Sequence, residues 1–70
     1  MNTPELRAAI ARAGTTNRRI ANELSISEQA LTNKIKGETE FKGSEIKTIA
    51  HVLRLSMADV NFIFFDSDVN

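Results

Sequence analysis

The side chains that could do chemistry cluster between Arg18 and Lys36. Glu28, Gln29, Thr32, Asn33 and Lys36 are short or medium polar residues at outward helical spacing. Side chains of this kind pair with base edges in a major groove. Arg18 and Arg19 precede them as adjacent cations, the type that neutralises phosphates. A solvated helix face is the plain alternative for both groups; the paired-helix context and basic flanks favour contact with DNA. The chemistry suggested is recognition rather than reaction. There is no cysteine and one histidine, His51, which excludes disulfide staples, Cys-ligated zinc and a His-rich metal cage. His51 beside Val52 reads as a surface residue, and Ser44 or Asp59 nearby in sequence does not make it a triad. With no acid–base or nucleophile pair in the pattern, the expectation is a non-enzyme with no cofactor, no metal and no small-molecule substrate.

Residues of this kind need rigid elements to hold them, and the hydrophobic spacing supplies five helices. Thr3-Pro4-Glu5 predicts a first start, with Thr3 as cap. Leu6, Ala9, Ile10 and Ala13 then lie on one face, closed by Gly14. A second helix follows Thr15-Thr16, either of which can cap, and carries Ile20, Ala21 and Leu24 inward. Ser25-Ile26-Ser27 joins it to a third helix, capped by Ser27, with Ala30, Leu31 and Ile35 inward and Gly37 at its end. A polar loop holding Phe41 leads to a fourth helix, with Ser44 as the expected cap and Ile46, Ile49, Ala50 and Leu53 inward. Ser56-Met57-Ala58-Asp59 predicts a capping box and a short fifth helix with Val60, Ile63 and Phe64 inward. No stretch reads as a strand. Phe62 and Phe65 fall off the inward stripe. Closing the core is the first reading for them; a subunit or partner interface, where aromatics are enriched, is the second.

Two short helices with a three-residue joint over about 16–36 define a helix-turn-helix geometry. The length, 70 residues, predicts a single domain over 1–70, with an acidic tail from Asp66 to Asn70 expected to fray. Net charge is zero, yet residues 1–37 carry six basic side chains against three acidic ones, and residues 38–70 the reverse. That asymmetry points to a polyanion-facing surface in the first half. No apolar run approaches a membrane span, and the opening residues lack the pattern of a signal peptide, so a soluble cytoplasmic chain with no membrane partner is expected.

The run Thr16-Asn17-Arg18-Arg19-Ile20-Ala21-Asn22-Glu23-Leu24-Ser25-Ile26-Ser27-Glu28-Gln29-Ala30-Leu31 resembles the helix-turn-helix of the Cro/CI repressor family. With Lys36-Gly37, Phe41-Lys42-Gly43-Ser44-Glu45-Ile46, the helix to Leu55 and the Phe64-Phe65 ending, almost the whole chain resembles the short Cro-like switch proteins of temperate phages of Gram-positive bacteria. That group includes modulator-of-repression proteins, which oppose a CI-type repressor partly by binding it. The resemblance implies a compact all-α, five-helix domain in a bacterial host cell, acting in a lysis–lysogeny switch. It implies that Asn17 donates to a phosphate. It also implies that Ser27, Glu28, Gln29 and Asn33 face bases or nearby phosphates, and that Lys36 and Lys42 reach phosphates. Three positions depart from the family pattern. Ser25 stands where the turn prefers Gly. Lys34 occupies an apolar slot that Ile35 takes over. Glu28 puts a negative charge at the groove entrance, suited to a cytosine amino group or to a basic protein partner. The expected partners are double-stranded operator DNA, a CI-type repressor and a second copy of the chain in a weak homodimer. The alternative function is antirepression by protein–protein binding with little DNA binding of its own.

Overall fold

Start signals in the sequence decide where each helix begins. The computed structural model describes residues 1–65; the tail expected to fray, 66–70, lies outside the described residues. Among these, α1 is Thr3–Arg12, α2 Asn17–Leu24, α3 Glu28–Lys36, α4 Gly43–Leu53 and α5 Met57–Val60, which runs on into a π-helical turn, Asn61–Phe65. The chain is the all-α, five-helix domain that the spacing predicts. No helix among the described residues is long and apolar enough to cross a membrane.

Thr16, Ser27 and Ser56 cap α2, α3 and α5, each accepting from a backbone N–H three residues on. Asp59 completes the box at Ser56 by accepting the Ser56 N–H at 3.0 Å. Two expected caps are displaced. Asn2, not Thr3, caps α1 by accepting the Glu5 N–H. The Thr3 hydroxyl instead donates to the Ile35 carbonyl at 2.9 Å, tying the start of α1 to the end of α3. Helix α4 begins two residues early, at Gly43, because the Glu45 carboxylate accepts the Lys42 N–H at 2.8 Å and closes the first turn without Ser44.

Leu6, Ile20, Leu31, Ile49 and Ile63 are essentially fully buried, one from each of α1 to α4 and one from the π-helical turn, and Ala9, Ala21 and Ile35 fill between them. Each such Leu or Ile contributes roughly 1.5–3 kcal/mol relative to exposure. Phe41 plugs the loop before α4 by meeting the Phe64 ring edge-on, with centroids 5.5 Å apart. Phe62 and Phe65 do not close the core, contrary to the first reading of them: they are 45% and 60% exposed. The terminal helix presents one stripe inward. Ile63 and Phe64 occupy it in full and Val60 in part, which leaves the other two rings outside.

Candidate nucleic-acid interface

The joint between α2 and α3 is as tight as the sequence requires. Ser25 sits in the left-handed region at φ 59°, ψ 39°. Its N–H donates to Asn22 O, and the Ile26 N–H donates to Ala21 O at 3.0 Å. These bonds end α2 and turn the chain at once into α3. Ala21, 1% exposed, is small where the two helices meet. Leu31 and Ile35 anchor α3 from within, so its other face points outward. Ser27, Glu28, Gln29 and Lys36 are exposed on it, and Thr32 and Asn33 are half-buried.

Gln29 Nε2 donates to Asn33 Oδ1 at 3.0 Å. The two amides thus form one surface, one turn apart, with the Gln29 carbonyl and the Asn33 amino group left to face a partner. The Ser27 oxygen accepts from the Ala30 N–H, which leaves its O–H to donate. Asn17 and Arg18 are exposed in the first turn of α2, and Lys42 is exposed at the cap position of α4.

Arg19 is exposed as well, but it belongs to different surroundings. Successive helical residues are about 100° apart. Arg19, with Glu23 one turn on, lines an open cleft of ≈ 710 Å³ shared with Arg12, His51, Arg54 and Asp59. His51 is a surface residue, as expected.

Lys34, the cation in the apolar slot of α3, turns inward rather than outward. Its Nζ lies 3.2 Å from Glu45 Oε1, and the two side chains are only 12% and 11% exposed. The ammonium also donates to the Glu40 carbonyl at 3.0 Å and sits 5.9 Å from the Phe41 ring centroid. The cation therefore fills its apolar slot by being neutralised there. Burial pushes the Glu45 carboxyl up. The Lys42 N–H, the Lys34 hydrogen bond and the charges of Lys34 and Lys42 outweigh this and hold it below its ordinary value. The signal for this pair was a cation at an inward position of α3 and an acid at the third position of α4. Pairing them needs the tertiary fold.

Around the terminal helix, Phe62 and Phe65 border a shallow recess with Ala58 and Asn61. Met1 and Met57 are the other exposed large hydrophobics. Among the described residues no group of His, Asp or Glu is placed to hold a metal ion.

A family model described as a protein of unknown function, DUF739, matches residues 5–67. The chain belongs to the DUF739 family. The matched segment takes in all of α2 to α5, so the helix pair and the terminal aromatic turn both fall inside the DUF739 region. No curated protein and no solved structure matches the chain.

Proposed function

We infer that this DUF739 domain is a small transcriptional regulator that binds operator DNA through α3. The observation that carries the reading is the α2–α3 pair: a three-residue joint and an outward face on which Gln29 and Asn33 are hydrogen-bonded side by side. Gln29 and Asn33 read base edges; Ser27, Glu28 and Thr32 flank them. Asn17, Arg18, Lys36 and Lys42 hold the backbone phosphates. The resemblance to phage Cro-like proteins supports a place in a lysis–lysogeny switch in the host cytoplasm, opposing a CI-type repressor without catalysis. The test is a gel shift on the DNA upstream of the chain's own coding sequence, repeated with Gln29→Ala. A good bidentate base contact is worth ~1–3 kcal/mol, so the variant loses about 5- to 150-fold in operator affinity with an unchanged melting curve. Equal affinity removes Gln29 from the reading set; no wild-type shift on any DNA sinks the operator reading.

A second reading is antirepression by direct binding to the repressor. The exposure of Phe62 and Phe65 favours it, as does the negative charge of Glu28 on the α3 face. Adding the neighbouring repressor to the same gel shift separates the two. An antirepressor releases the repressor from its operator without itself shifting the DNA.

A further inference from the structure

The cleft beside Arg19 is built from four helices, and the operator reading leaves it without a role. Arg12 comes from the end of α1, Arg19 and Glu23 from α2, and His51 and Arg54 from the end of α4; Asp59 of α5 closes one side. We propose that this cleft is a binding site for the phosphate group of a small ligand. This inference does not depend on the operator reading.

Its cations are largely uncommitted. Arg12 bonds Glu5 at 3.0 Å on the surface, whereas neither Arg19 nor Arg54 has an ion-pair partner among the described residues. Two carboxylates share the lining, Glu23 and Asp59, one oxygen of which accepts the Ser56 N–H; three arginines outnumber them. Leu53, buried, and Val52 and Leu55, half-buried, back the cleft, whose exposed surface is mainly polar.

Arg54 adds an independent observation. It ends α4 at φ 56°, ψ 47°, a left-handed conformation that glycine adopts at lower cost. What arginine brings at that position is its side chain, and Arg54 is among the residues that line the cleft. A lone carboxylate is satisfied by one guanidinium fork. Donors arriving from α1, α2 and α4 instead suit the three oxygens of a phosphomonoester.

A free phosphate and a DNA backbone offer these arginines the same chemistry, and Arg19 adjoins Arg18; titration with phosphate against duplex DNA separates the two.

His51 is the sole histidine, so its imidazole signals in an NMR spectrum report on the cleft alone. Inorganic phosphate titrated into the full chain at constant ionic strength should move the His51 ring signals saturably, while chloride should not. Arg54→Gly suits the left-handed backbone, so it removes the side chain without adding strain. This variant and Arg19→Gln should each weaken phosphate binding by about tenfold or more. Glu23→Gln should tighten it. Equal responses to phosphate and chloride, or phosphate affinity unchanged in both arginine variants, overturn the proposal. Signals that move with duplex DNA but not with phosphate overturn it too, and make the cleft a backbone contact.

Discussion

Lys34 and Glu45 show how one residue pair decides both stability and surface charge. An ammonium in an apolar slot is tolerable only with a counterion and hydrogen bonds to its remaining protons; Glu45 Oε1 and Glu40 O supply them. Because the Glu45 carboxyl is held below its ordinary value, its ionised form favours the folded state. That contribution is present above the unfolded carboxylate range and is lost as pH falls through the lowered folded value. Melting curves from neutral pH down to about pH 3 should show a wild-type Tm that falls with acid. Glu45→Gln should cost about 1–3 kcal/mol at neutral pH and show a smaller acid-dependent fall. Replacing both partners, Lys34→Met with Glu45→Leu, should recover most of that loss, since an apolar pair of similar volume is often as stable as a buried ion pair. An acid profile identical in wild type and Glu45→Gln would show that this carboxylate is not the titrating group.

At the scale of elements, the joint between α2 and α3 carries a local backbone conflict. Ser25 takes φ 59°, a region that costs an L-residue roughly 1–2 kcal/mol. The Ser25 and Ile26 N–H bonds to α2 carbonyls hold it there. Ser25→Gly should therefore stabilise the domain by about 0.5–1 kcal/mol, once glycine's greater unfolded-state entropy is subtracted. For a chain of this size that raises Tm by about 3–6 °C. A lower Tm would mean that the serine side chain makes a compensating contribution. The caps were legible in sequence where a Ser or Thr had no competitor, as at Thr16, Ser27 and Ser56. They were misread at Thr3 and Ser44. There a neighbouring Asn2 and Glu45 reached the orphan N–H groups first.

Across the whole molecule, seven of the nine cationic side chains divide among three places. Arg18, Lys36 and Lys42 flank α3; Arg12, Arg19 and Arg54 line the cleft; Lys34 is neutralised inside. The salt dependence of operator binding distinguishes the first two groups. Each phosphate neutralised adds about −0.9 to the slope of log K against log salt. Arg18→Ala should make the slope shallower by about one, and Arg19→Ala should leave it unchanged. Equal effects from both would return Arg19 to the DNA-binding set. The exposed rings of Phe62 and Phe65 lie on the terminal helix, on an apolar recess suited to a weak homodimer or to the repressor. Phe62→Ser with Phe65→Ser should convert a sedimenting dimer to monomer, with Tm essentially unchanged because both rings are largely solvated. A variant that stays dimeric places the interface elsewhere. One that melts much earlier restores these rings to the core.

The π-helical turn after α5 and the exposure of Ala13 were not determined by the sequence alone, whereas the five α-helices and the buried positions Leu6, Ala9, Ile10, Ile20, Ala21, Leu31, Ile35, Ile49 and Leu53 were. Those features depend on residues three and four apart, and such residues meet within a single helix whatever the rest of the chain does. The three-residue joint after α2 was legible for the same reason. Which of Lys34, Arg19, Phe62 and Phe65 faces what was decided only by the tertiary structure. Lys34 is buried because α4 brings Glu45 to it from 11 residues away. Arg19 parts from Arg18 because the ends of α1 and α4 flank one side of α2 and not the other. Phe62 and Phe65 stay outside because Ile63 and Phe64 occupy the contact with the core, where the Asn2 N–H also bonds the Ile63 carbonyl at 2.7 Å. Each outcome turns on a contact between elements, and local spacing carries no information about which elements will meet.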